Sequence, residues 1–289
     1  MFIRFWKKIG RIILLRLLIW TQKQETKPTS SRKSSENILL REVHVPTYMV
    51  AIVSSLALFV VLFFEVGLDP YKIIGLVLFI ILIVTFFRYY IIYNHPDLVG
   101  DDDAMTLIGV VTILMVLGAR NIKIAGDLPT FEWLSGYLTP VAASSMLITI
   151  LLNSRLALVF TVIVALITGM IYEFSFSMFF VLTISGITGV VAVRQARQRS
   201  DITRAILKVG AGTAMALLII GLFNAWPWLS IRNNLLIGFT NGVISGILTL
   251  SLLPFLETFF YRTTNIRLVE LADFNQPLLK RLMIEAPGT

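Results

Sequence analysis

Long apolar runs recur from about Tyr48 to Phe260, each long enough to cross or nearly cross a bilayer. A membrane-spanning helix needs about 20 consecutive apolar residues. In hydrocarbon every backbone N–H and C=O must be satisfied internally, so only helices and closed barrels span. The alternating ten-residue strands of a membrane barrel are absent, which leaves helices. The composition agrees. Hydrophobic residues make up 56% of the 289 and charged residues only 15%, against roughly 25% charged in a soluble domain. The expected fold class is all-α, a polytopic transmembrane helix bundle.

Eight apolar segments are predicted, at about 47–67, 71–93, 104–119, 137–153, 156–173, 176–194, 205–226 and 234–260. The third and fourth are short or interrupted. "FEVGLDPYK" joins the first two, and Asp69-Pro70 beside Gly67 reads as a tight turn. Four regions follow. Residues 1–22 form an amphipathic interfacial helix, with Arg4, Lys7, Lys8 and Arg11 on one face and Phe2, Phe5, Trp6, Ile9, Ile12 and Ile13 on the other. Residues 23–46 are a polar linker, 47–260 the transmembrane bundle, and 261–289 a connector helix.

The net charge of +8 is distributed beside the apolar segments. That placement points to membrane orientation and anionic lipid at the basic amino-terminal helix rather than to nucleic acid. Basic residues concentrate before the first segment, in "RQARQRSDITRAILK" between the sixth and seventh, and after Tyr261. With eight crossings all three regions share one side, which is then cytoplasmic, together with both termini.

Few residues could carry chemistry. Cysteine is absent and the two histidines, His44 and His95, are not paired. No metalloprotease, nucleophile-elbow or phosphate-loop motif occurs. No apolar segment holds paired central carboxylates, and no inverted repeat of broken helices is evident, which weakens an ion-transporter reading. Glu65 and Glu173 fall near segment ends at headgroup level. Asp101, Asp102 and Asp103 read as a solvated loop. In "GFTNGVISGIL", Gly238, Gly242 and Gly246 repeat every four residues, so a second helix can approach that face closely. Asn241 beside it is expected to donate a hydrogen bond to another helix. Glu257 is expected to pair with Arg262 or with a basic inner loop, as a structural ion pair or as part of a signalling device.

Two stretches carry a resemblance. "YLTPVAASSMLITILLNSRLAL" and "LLPFLETFFYRTTNIRLVELADFNQPLLKRLMIEAPGT" resemble the seven-transmembrane HD-domain phosphodiesterases, bacterial membrane enzymes acting on cyclic di-AMP. The resemblance covers about residues 71–289 and is strongest over 250–289. It implies one helix plus seven, multi-pass in the bacterial plasma membrane, with a cytoplasmic HD hydrolase holding two divalent metal ions. The sequence departs from that pattern twice. Only "EVGLDPYK" stands where relatives place an extracytoplasmic domain, and the motif reaches "EAPGT" without the HD histidines and aspartates. No catalytic, cofactor-binding or metal-binding residue is therefore expected in this chain. Its expected role is to anchor such an enzyme and to transmit a signal to it through 261–289. Leu268, Leu271, Leu278, Leu279 and Leu282 would pack the connector against a neighbour, for which a second copy in a homodimer is a candidate. The alternative is a standalone membrane protein, such as a transporter or lipid-binding scaffold. An assay of the 289-residue chain on cyclic di-AMP should show no hydrolysis, and measurable turnover would overturn this expectation.

Overall fold

The computed structural model describes residues 47–66, 69–99, 101–128, 135–260 and 262–271. The amino-terminal helix and linker expected over 1–46, and Leu278, Leu279 and Leu282, lie outside the described residues. The elements are α1 (Thr47–Val66), α2 (Pro70–Asn94), the one-turn α3 (Pro96–Val99), α4 (Asp102–Gly126), a 3-10 turn (Gly136–Leu138), α5 (Val141–Leu151), α6 (Ser154–Ile171), α7 (Phe176–Val193), α8 (Arg199–Phe223), α9 (Trp228–Phe259) and α10 (Asn265–Leu271). No strand occurs among the described residues. Each predicted segment falls on a helix. Six of these helices (α2, α4 and α6 to α9) have the length and hydropathy to cross a membrane, while Ser54–Phe63 and Gly136–Leu151 are shorter apolar stretches.

The helix boundaries follow local capping chemistry. Asp69 caps α2 through a hydrogen bond from the Tyr71 N–H (3.2 Å), and Pro70 occupies the first turn, where its missing N–H costs nothing. Asn153 accepts from the Arg155 N–H (3.0 Å) at the start of α6. The Asp201 carboxylate accepts from the N–H groups of Arg197 (2.9 Å) and Gln198 (3.1 Å) before α8. Each carboxylate or amide oxygen takes up donors that a helix start leaves unpaired.

Contacts across the bundle fix which ends lie together. The Tyr90 hydroxyl reaches the Arg155 carbonyl (3.4 Å), linking the end of α2 to the start of α6. At the opposite end Lys123 donates to the Ile171 carbonyl (2.7 Å) and Tyr172 to that of Ala119 (3.3 Å), linking the ends of α4 and α6. One apolar cluster joins α1, α2, α4 and α6 around Leu62, Leu76, Val116 and Ile167. A second runs from Ile91 through Leu107, Leu147, Phe160 and Leu182 to Leu256 and Phe260. The outward face of α2 is exposed and apolar, with Ile74, Leu78, Ile81, Leu82 and Phe86, as a lipid-facing helix must be.

Lipid is as apolar as leucine, so burying leucine supplies little drive for helices to associate within a bilayer. Close van der Waals contact and hydrogen bonds do that work. The tightest contact is α8 against α9. A Cβ at Gly242 would lie 2.5 Å from the Gly210 nitrogen, at Gly238 2.7 Å from the Ala214 nitrogen, and at Gly246 2.1 Å from Ile206 Cγ1. The partner positions Ile206, Gly210 and Ala214 also recur every four residues, so the two ridges interlock. Hydroxyl pairs hold the other interfaces. Thr161 Oγ1 lies 2.7 Å from Ser145 Oγ between α6 and α5, and Thr213 Oγ1 2.8 Å from Ser185 Oγ between α8 and α7. Gly242→Val should destabilise the bundle towards the upper end of the roughly 1–3 kcal/mol typical of overpacking, because backbone atoms must move. Gly75→Ala should not, since nothing lies within 4 Å of that position. Thermal unfolding in micelles checks both; equal midpoints would contradict the packing account.

Candidate functional site at the exit of the last helix

α9 reaches Phe259 despite Pro254, whose missing N–H leaves the Leu250 carbonyl without its intrahelical donor. The helix closes with the Phe260 N–H on the Leu256 carbonyl (3.0 Å) and the Arg262 N–H on the Glu257 carbonyl (3.1 Å). The chain is then non-helical over 262–264 and re-enters a helix at Asn265. The described part of the connector expected over 261–289 is helical from Asn265 to Leu271, and the non-helical step before it has a local cause. Thr263 and Thr264 are β-branched and stiff in a helix. Thr264 acts as a cap instead, its hydroxyl oxygen accepting from the Arg267 N–H (3.3 Å) and its carbonyl from the Leu268 N–H (3.0 Å).

Three contacts lock this corner to the bundle. Glu257 is only 5% exposed, and its carboxylate accepts a hydrogen bond from the buried Thr264 hydroxyl. Arg262 pairs with Asp101, which lies between α3 and α4. Asp101 serves twice, because its other oxygen accepts from the Ala104 N–H (3.0 Å) and caps α4. Finally, Phe260 and Ile266 are buried in the large apolar cluster with Ile91, Leu107 and Leu256. The segment that leads into α10 is thus bonded to α9 through Thr264, to the α3–α4 corner through Arg262 and to the core through Phe260 and Ile266.

The sequence-derived residues take the following places. Gly238, Gly242 and Gly246 meet α8. Asn241 is fully buried and donates to the carbonyls of Tyr137 (2.6 Å), in the 3-10 element, and of Thr139 (3.1 Å) just after it, while its oxygen accepts from the Ser245 hydroxyl (3.1 Å). The side chains of Glu257 and Arg262 take different partners, Thr264 and Asp101, and are joined only through the Arg262 backbone. Glu173 is exposed with φ 57° in the turn after α6. Leu268 is exposed on α10, and Leu271 ends that helix. The roles of Asp101 and Thr264 were missed. The available signals were the cap position of Asp101 ahead of an apolar run and the TTN sequence after α9. Among the described residues no group of three His, Asp or Glu could hold a metal ion. They do not fit a di-metal hydrolase centre.

A polytopic helical membrane domain that hands its chain on through a locked corner is the class this structure defines. The chain belongs to the family described as "7TM receptor with intracellular HD hydrolase", which it matches over residues 70–264. It is 30% identical over 224 residues to the cyclic-di-AMP phosphodiesterase PgpH of Bacillus subtilis (strain 168), covering 74% of this chain and 31% of that protein. It is 35% identical over 158 residues to the cyclic-di-AMP phosphodiesterase PgpH of Listeria monocytogenes serotype 1/2a (strain 10403S), covering 53% of this chain and 22% of that protein. The chain thus spans less than a third of the length of these curated relatives. No solved structure matches it.

Asp101→Ala removes an ion pair and a helix cap, whereas Arg262→Ala removes the pair alone. The pair is about one-third exposed and so contributes at most about 1 kcal/mol. The cap adds about another 1 kcal/mol. Thermal unfolding should therefore rank Asp101→Ala below Arg262→Ala, and the reverse order would refute the double role.

Proposed function

We propose that this chain is the membrane domain of a cyclic di-AMP phosphodiesterase system. It anchors the protein in the bacterial plasma membrane and passes a conformational signal through residues 261–289 to an HD hydrolase domain. The family and the two cyclic-di-AMP phosphodiesterase relatives support the substrate class. The triple anchoring of the α9–α10 corner supports the transmission role. A signal needs a mechanical path, and Arg262 with Asp101 and Thr264 with Glu257 tie the start of the connector to two other parts of the bundle. Any rearrangement of α4 against α9 moves that start. The eight-segment topology with both termini cytoplasmic belongs to the same reading, since it puts the connector on the side where an intracellular hydrolase works. Hydrolysis, with its divalent metals, is then the work of that HD hydrolase domain. The exposed Leu268 and Val269 on α10 suit a second copy of the connector, so a homodimer is the proposed assembly.

The test is a fusion in which an active HD phosphodiesterase domain follows Thr289, assayed in membranes for cyclic di-AMP hydrolysis. Arg262→Ala and Thr264→Val should each change the rate severalfold at equal expression, and Leu229→Ala at the opposite end should not. Rates indifferent to both corner substitutions would sink the transmission role.

A further inference from the structure

A cavity of about 190 Å³ lies among α1, α2, α4 and α6. Its lining residues fall between Ile83 and Ile92 on α2, Ser54 and Leu58 on α1, Met105 and Thr112 on α4, and Phe160 and Ile167 on α6. It therefore sits in the half of the bundle where α2 ends and α4 and α6 begin, the same end as the α9 exit. The walls are almost entirely hydrocarbon, with Ser54 and Ser55 at the α1 edge. Thr112 spends its hydroxyl on the Ile108 carbonyl (2.7 Å) and offers a guest nothing. Water needs two to four polar partners to occupy a cavity, and a smaller apolar cavity of about 150 Å³ stays dry and binds benzene. The occupant these walls suit is an alkyl chain.

One charge borders it. Arg88 lines the cavity and is exposed, about 9 Å along α2 from Asn94 at 1.5 Å per residue. Among the described residues its guanidinium has no carboxylate partner. A cation placed so near the end of a lipid-facing helix extends its head towards the headgroup layer, where the guanidinium fork matches phosphate oxygens in pairs. A second apolar groove, between α2 and α6, shares Ile83 and Ile163 with the cavity and continues along Leu82, Phe86 and Leu166. Arg88, the cavity and the apolar groove are thus contiguous. We infer that the cavity among α1, α2, α4 and α6 is a binding site for an anionic phospholipid, with the phosphate at Arg88 and one acyl chain in the cavity. Three wall residues, Ile91, Ile108 and Phe160, belong to the cluster that also buries Phe260 and Ile266. The site therefore abuts the packing under the connector, although the binding claim stands without the signalling reading.

The full chain would be reconstituted in vesicles with a diazirine-labelled phosphatidylglycerol, with phosphatidylcholine bearing the same chain, or with the free labelled fatty acid. Crosslinked peptides are then mapped by mass spectrometry. Phosphatidylglycerol should label cavity residues of α2, α4 and α6 at least threefold more than phosphatidylcholine. Arg88→Gln should remove that preference and Arg88→Lys should largely keep it, which separates lost charge from lost folding. Ile163→Trp should lower cavity labelling with Arg88 intact, and Arg232→Gln should leave it unchanged. Equal labelling by both phospholipids, indifference to Arg88→Gln, or labelling by the fatty acid alone would each overturn the assignment.

Discussion

Asn241 solves a problem that the rest of the bundle is arranged around. Between α4 and α5 the chain folds inward through Ser135–Pro140, a turn that leaves carbonyls without helical partners. Thr139 is fully buried, and irregular backbone at membrane depth is tolerated only inside protein. Asn241 lies about 20 Å along α9 from Trp228, and its amide serves two of those carbonyls. It can do so only if α9 is held close and in fixed rotation. The glycine ridge next to it, locked against Gly210 and Ala214, provides that hold. One stretch of α9 therefore carries both the closest helix contact and the polar bond that lets α5 be short.

The same helix ends at the corner where Glu257, Thr264, Arg262 and Asp101 meet. Rotation of α9 is set by its glycines and by Asn241, and that rotation determines where its last turn delivers the chain. Polar side chains near Asn241 are distributed along one face of α9, at Ser245, Thr249 and Glu257, all buried. The hydroxyls of Ser245 and Thr249 are satisfied within the helix or by Asn241, so this face packs without leaving unpaired donors. Asn241 and Glu257 specify the helix orientation, because rotating α9 would take them away from the Tyr137 and Thr139 carbonyls and the Thr264 hydroxyl. Glu257 extends this polar face to the connector and is satisfied only once Thr264 has folded back over it.

Much of this was legible in order along the chain. The eight apolar runs each marked a helix, and Asp69-Pro70 marked the first turn through its capping chemistry. The four-residue glycine repeat marked the face of α9 that must meet another backbone, since only missing side chains permit such an approach. The fourth apolar segment looked interrupted because part of it is a 3-10 turn. The partners were less legible. Asn241 could be assigned a donor role but not its acceptors, which lie more than 100 residues away. Glu257 could be expected to pair with Arg262 or with a basic inner loop, the partners that sequence proximity and charge offer. The corner at 262–264 turns the Arg262 guanidinium towards Asp101, 161 positions distant.

The sequence by itself therefore determined the medium, the class of fold and the positions of the helices. These depend on local quantities: the length of an apolar run, a cap, a proline, a missing side chain. The tertiary structure alone decided which helix receives the glycine ridge, which carboxylate meets Arg262, and where four helices leave an apolar cavity beside Arg88. Those outcomes depend on how rigid helices of given rotation pack together, and neither a span's hydropathy nor its periodicity encodes the rotation of its neighbour.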